Sequence, residues 1–107
     1  MTNTSTKLVK IHDELDLKVM IEVEQNSQVN QRTMAVKFEI SLGKLNHCIR
    51  SLVDVGYVKL ENFSGSKNKV GYMYLLTPKG IAAKTLLTKK FLKIKLAEYN
   101  KLKEHLK

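Results

Sequence analysis

The sequence predicts a mainly α chain with one small β-hairpin placed ahead of a long C-terminal helix. Three observations predict it. Between Ser41 and Gly56, the residues Leu42, Leu45, Ile49, Leu52 and Val53 recur on one helical face. After Gly56 the apolar period drops from about 3.6 to about 2, in Tyr57, Val58, Leu60 and Phe63 and again from Val70 to Leu76. Beyond Thr77-Pro78 nothing interrupts a helix as far as Leu106.

Taken in order, residues 1–6 are polar and are expected to be disordered. Lys7 to Asn26 has the pattern of a helix, with Leu17, Met20, Ile21 and Val23 on its buried side and Glu22 and Glu24 toward water. Leu8, Val9 and Ile11 either extend it or form a separate turn. Asn26-Ser27-Gln28 breaks the pattern. Asn30 is an N-cap for a short helix, Gln31 to Phe38, with Met34, Ala35 and Phe38 inward and Arg32 and Lys37 outward. Glu39-Ile40 is a tight connection with Ile40 in the core. Ser41 then caps the next helix, and Gly56 suits the left-handed residue that stops it. Two short helices joined by so few residues form a helix-turn-helix.

The outer face of the helix after Ser41 carries Gly43, Lys44, His47, Arg50, Ser51 and Asp54, with Asn46 at its edge. Lys44 sits in the first turn, where the macrodipole disfavours a cation by roughly 0.3–1 kcal/mol. An anion brought to that end would remove the penalty and use the free N–H groups. A polar face of this kind on any surface helix is most simply solvated. As the second helix of a helix-turn-helix it fits a recognition helix.

Ser64 to Lys69 is a turn-rich, basic tip between the two strands. A bare hairpin is marginal in water, so one face must pack on the helices. The predicted fold is therefore a winged helix-turn-helix followed by a long C-terminal helix. Residues 7–77 form the DNA-binding domain of this scheme and residues 78–107 a dimerisation helix.

Thr77 caps that last helix and Pro78 occupies its first position. At about 1.5 Å per residue it reaches some 40 Å, more than so small a domain can cover. Leu87, Phe91 and Ile94 form one stripe. Leu92, Tyr99, Leu102 and Leu106 follow near-heptad spacing, interrupted by Lys95. Both sets are expected to be buried against the same helix of a second copy, with the lysines turned outward. A lysine-rich amphipathic helix on a membrane surface is the weaker reading, since the stripe has no Trp and contains Lys95.

The chain has 107 residues and a formal net charge of +9. That length suits one domain with one modest core. Charge is uneven: −2 over residues 1–30, +4 over 31–77 and +7 over 78–107. A basic surface of this kind attracts nucleic acid. No run approaches the ~18 apolar residues of a membrane span, and the polar N-terminus lacks a signal core. The single cysteine, Cys48, excludes an internal disulfide and fits a reducing compartment, so a cytoplasmic location is expected.

The run of motifs Ser41-Leu42-Gly43-Lys44-Leu45-Asn46, Leu60-Glu61-Asn62-Phe63, Ser66-Lys67-Asn68-Lys69 and Leu75-Leu76-Thr77-Pro78-Lys79-Gly80-Ile81-Ala82 resembles the MarR-type winged-helix regulators. The likeness is closer to their exopolysaccharide-associated subgroup and covers roughly residues 14–100. It implies a bacterial, dimeric, double-stranded DNA-binding regulator of polysaccharide genes. The wing departs from the common pattern, with Lys67 and Lys69 as its only cations in place of an arginine pair. Lysine suits phosphate contact better than groove reading. The chain is also expected to lack the longer N-terminal dimerisation helix of larger members.

The expected DNA-binding residues are Arg32, Ser41, Gly43, Lys44, Asn46, His47 and Arg50, with Lys67, Asn68 and Lys69 of the wing. Arg50 suits guanine and Asn46 suits adenine. No enzyme, metal or cofactor chemistry is indicated. His12, His47 and His105 lie on separate elements without ligand spacing, and Cys48, toward the buried side of its helix, is expected to be a structural thiol. The alternative function is a winged helix that holds a protein or RNA partner through the same basic surface.

Overall fold

The structure is a computed structural model. It describes the backbone of residues 3–66 and 69–106, and the side chains of residues 13–62 and 73–106. The elements run α1 (Asn3–Gln25), α2 (Gln31–Phe38), α3 (Leu42–Asp54), β1 (Val58–Ser66), β2 (Lys69–Leu76) and α4 (Pro78–Glu104). This is a winged helix-turn-helix with a long C-terminal helix, mainly α, as the periodicities predict.

Helix α1 begins at Asn3, so it takes in residues expected to be disordered, and Leu8, Val9 and Ile11 belong to it rather than to a separate turn. No proline or glycine lies between Asn3 and Gln25. The Thr and Ser residues there cost at most about 0.7 kcal/mol each relative to Ala, too little to stop a helix already formed downstream. Its buried stripe is Val19, Met20 and Val23, while Leu17 and Ile21 are only half-buried.

Both helices of the helix-turn-helix are punctuated by side chains. Asn30 Oδ1 accepts from the N–H of Thr33 at 2.7 Å, and Ser41 Oγ accepts from the N–H of Lys44 at 3.1 Å. Their ends share one geometry. Tyr57 N–H donates to Leu52 O and Gly56 N–H to Val53 O, with Gly56 at φ 86°. Ile40 N–H donates to Ala35 O and Glu39 N–H to Val36 O, with Glu39 at φ 57°. These are Schellman-type ends. Glu39, lacking glycine's freedom, adopts the left-handed conformation at a cost of about 1–2 kcal/mol. The turn tolerates it because two orphan carbonyls are satisfied and Ile40 packs on the core.

Leu45, Cys48, Ile49 and Leu52 of α3 are buried with Met34 and Ala35 of α2, Val58 of β1 and Tyr74 of β2. Leu42 and Val53, expected on the same face, are exposed at its edge. Cys48 rather than Val53 completes the stripe. The strands pair antiparallel, Val58 opposite Leu76 and Leu60 opposite Tyr74, with an irregularity between Phe63 and Ser66. Pairing resumes at Ser66 with Lys69, so Ser64, Gly65, Ser66 and Lys69, expected in the tip, belong to the strands. Tyr74 N–H also donates to Ser27 O at 2.9 Å, fastening β2 to the α1–α2 connection.

The Thr77-Pro78-Lys79-Gly80 motif is a joint. Thr77 Oγ1 accepts from Gly80 N–H at 2.9 Å and donates to Gly56 O, and Thr77 N–H donates to Tyr57 O at 3.1 Å. A Cβ on Gly80 would stand 2.0 Å from Tyr57 O. Only glycine lets the first turn of α4 lie so close to the backbone that follows α3. Lys79 Nζ caps the Tyr57 ring at 5.7 Å.

Helix α4 then packs on α1. Phe91 is buried in this chain, and Leu87 and Ile94 are half-buried. Ion pairs Lys84–Glu24 (2.7 Å), Lys90–Asp13 (2.6 Å) and Lys95–Glu14 (3.5 Å) run along the same contact. Three of the lysines expected to face open solvent therefore meet the acids of α1. The uneven charge of the sequence is partly this pairing. The molecule measures 62 × 30 × 25 Å. Among the described residues no helix is long and apolar enough to cross a membrane.

Candidate nucleic-acid interface

The sequence of α3 alternates core and outer positions so that Gly43, Lys44, His47, Arg50, Ser51 and Asp54 are all exposed on one side. A Cβ on Gly43 would meet nothing within 4 Å, so its surroundings are open. The N-terminus of α2 lies next to that of α3. Asn30, Gln31, Arg32, Thr33 and Leu42 line a shallow depression between them. Arg32 sits in the first turn of α2 and Lys44 in the first turn of α3, each at a helix end where backbone N–H groups and the dipole favour an anion.

Arg32, Lys44 and Arg50 enter none of the ion pairs among the described residues, whereas Lys37 pairs with Glu22 at 2.7 Å and Lys59 with Glu61 at 2.7 Å. The cations on this face are left available to a ligand. Ser41 spends its hydroxyl on the cap of α3, so its share in the surface is to aim the helix.

Asn46 departs from the expected free edge position. It is half-buried, and its Nδ2 donates to Gln31 Oε1 at 3.2 Å. Gln31 Nε2 in turn donates to Tyr74 Oη at 3.0 Å. Sequence reasoning missed Gln31 and Tyr74. The available signal was an inward-alternating tyrosine in β2, whose hydroxyl needs a partner when its ring is buried.

On the opposite flank, Leu15 and Asp16 of α1 and Lys44, His47, Cys48 and Ser51 of α3 line a cleft. The Cys48 thiol donates to Asp16 Oδ1 at 3.2 Å. Burial, then the hydrogen bond to Asp16, then that carboxylate's charge push the thiol up to about 12. It stays protonated at neutral pH, the state of a structural cysteine. Among the described residues no three His, Cys, Asp or Glu side chains are placed to share a metal ion.

Lys67 and Asn68 lie outside the described residues; Lys69 is in β2, with its side chain also outside them. Of the expected dimerisation set, Leu87, Phe91 and Ile94 are turned into this chain, because α1 supplies the apolar and acidic face they pack against. Leu92, Tyr99, Leu102 and Leu106 remain exposed, with Leu96 beside them, at 56–87% of their full surface.

Residues 12–59 match a family model described as winged helix-turn-helix DNA-binding, just under half of the chain. Among solved structures the chain is similar to a Lactococcus lactis ZitR double mutant in apo form, at TM-score 0.65 and 15% identity, over 94% of this chain and 74% of that one. It is also similar to Staphylococcus aureus MarR in complex with salicylate and kanamycin, at TM-score 0.59 and 15% identity, over 80% of this chain and 56% of that one. The chain thus spans little more than half the length of that MarR protein. At such identity the likeness is one of fold. No curated protein matches the sequence.

Proposed function

We propose that this chain is a sequence-specific, double-stranded DNA-binding transcriptional regulator of the MarR type, working from residues 7–77 as the reading head. The observation that carries the reading is the outer face of α3. Lys44 and Arg50 are exposed there without ion-pair partners among the described residues, and Arg32 lines the depression at the start of α2. The matched family model supports it. In this reading α3 lies in the major groove, with Gly43 permitting close approach and Lys44, Asn46, His47 and Arg50 facing base edges. Arg50 holds guanine by its planar fork. Arg32 and the helix N-termini hold phosphate. Lys67, Asn68 and Lys69 of the wing touch the backbone beside the groove.

The regulator acts as a homodimer. Leu92, Leu96, Tyr99, Leu102 and Leu106 of α4 form an exposed apolar strip of a kind monomers rarely carry. Ile81, Thr85, Thr88, Leu92, Lys95, Tyr99, Leu102 and Leu106 follow alternating steps of four and three residues, the spacing of a coiled-coil seam. A two-fold pair would present two copies of α3 to half-sites about one DNA turn, ~34–36 Å, apart. The resemblance of the motif run to exopolysaccharide-associated regulators makes polysaccharide genes the proposed targets, in a bacterial cytoplasm.

The test is a mobility shift of the duplex upstream of the chain's own gene, titrated with salt and with unrelated competitor. The expected result is a shift that survives excess unrelated duplex and weakens steeply as salt rises. Retention of protein or RNA partners with no preference for any duplex would support an interaction module instead.

A further inference from the structure

A hydrogen-bonded chain leads from the core to the edge of α3. Tyr74 is 8% exposed, its ring in the core and its N–H bonded to Ser27 O. Its hydroxyl accepts from Gln31 Nε2, and Gln31 Oε1 accepts from Asn46 Nδ2. The three residues come from β2, the first turn of α2 and α3.

This arrangement determines what Asn46 has left to offer. An asparagine amide has two N–H donors and one carbonyl acceptor. One donor is committed to Gln31. The other donor and Oδ1 remain, which is the pair that adenine's N7 and N6 amino group require in the major groove. A free asparagine would rotate about a soft terminal torsion. A held one has its orientation set before DNA arrives, so less ordering remains to be done on binding. Gln31 is flexible in itself, but its far end is tied to a tyrosine that cannot move without disturbing the core.

We propose that Gln31, anchored by Tyr74, is a positioning residue that fixes the Asn46 amide for adenine and thereby sets the base preference at one position of the DNA site. This rests on the reading of α3 as the recognition helix.

The experiment is selection from a randomised duplex library by the full-length chain, followed by binding measurements on the selected duplex and its single-base variants. For the wild type, one column should favour adenine by about 5- to 150-fold, the range of a good bidentate contact, and Asn46→Ala should abolish that preference. Gln31→Met, which has no N–H to give Tyr74 and only a weak sulfur acceptor for Asn46, should reduce it to below about threefold. Gln31→Glu should retain it, because a carboxylate still accepts from Asn46 and lets Tyr74 donate. Its negative charge should weaken all duplexes alike. Tyr74→Phe should lower the preference in the same column. A merely structural role for Gln31 would change all columns together. If Gln31→Met keeps the preference, or Gln31→Glu loses it, the positioning role is overturned while the DNA-reading function stands. A wild-type chain that enriches no sequence overturns both.

Discussion

Replacing Gly80 with Ala should destabilise the fold, although it installs the better helix former. In open helix the change gains about 0.8–1 kcal/mol. Here the new methyl would meet Tyr57 O at 2.0 Å, and the obstacle is backbone that cannot swing aside. Relief requires α4 to move by roughly an ångström, since contacts below about 3 Å are not sustained at a Cβ. Such a shift strains a packed joint, at about 1–3 kcal/mol. It also loosens the bonds from Thr77 N–H to Tyr57 O and from Thr77 Oγ1 to Gly56 O, each worth about 0.5–1.5 kcal/mol. The net loss is about 3 kcal/mol. Thermal and urea unfolding followed by circular dichroism should show Tm falling by some 10–20 °C. Gly43→Ala is the internal control. Its methyl meets nothing, so stability should rise by up to about 1 kcal/mol while DNA affinity falls. If Gly80→Ala kept or gained stability as Gly43→Ala does, the assignment of Gly80 to a close approach would be refuted.

Three further outcomes are expected. Lys67→Ala with Lys69→Ala should weaken all duplexes alike and shallow the salt slope by roughly 0.9 per lost phosphate contact; a changed sequence preference with the slope intact would contradict the phosphate role. Leu92→Glu with Tyr99→Glu should give a folded monomer by sedimentation, because both side chains are exposed in this chain; an unchanged dimer would place the interface elsewhere. The Cys48 thiol ionises near its ordinary 9.0 when unfolded but only toward about 12 when folded. The unfolded state therefore binds fewer protons in that window, and stability falls as pH rises from about 9 to about 12. Comparison with Cys48→Ala in alkaline urea titrations should remove this component.

What was legible in the sequence was local. Asn30, Ser41 and Thr77 each bond an N–H three residues on, so one residue type announces each helix start. Gly56 marked the end of α3, but Glu39 performs the same turn without glycine's signature, and its left-handed conformation could not be read. The face that α4 turns inward was not legible either. Phe91 and Leu92 are neighbours about 100° apart on a helix, and the sequence alone does not say which meets the core. The choice is made by α1, whose Asp13, Glu14 and Glu24 meet Lys90, Lys95 and Lys84. For the candidate site, spacing on α3 sufficed to gather Gly43, Lys44, His47 and Arg50. It did not reveal that Asn46 is held, because Gln31 and Tyr74 lie far from it in the chain and meet it only through folding.

The central claim is that α3 enters the major groove, and guanine N7 reports on that groove directly. Dimethyl sulfate protection of the upstream duplex, with wild type and Arg50→Ala, measures it. The expected result is two patches of protected guanines about one helical turn apart, with one guanine in each patch exposed again by Arg50→Ala. Backbone protection without any guanine N7 protection, or a pattern that Arg50→Ala leaves unchanged, would contradict the claim.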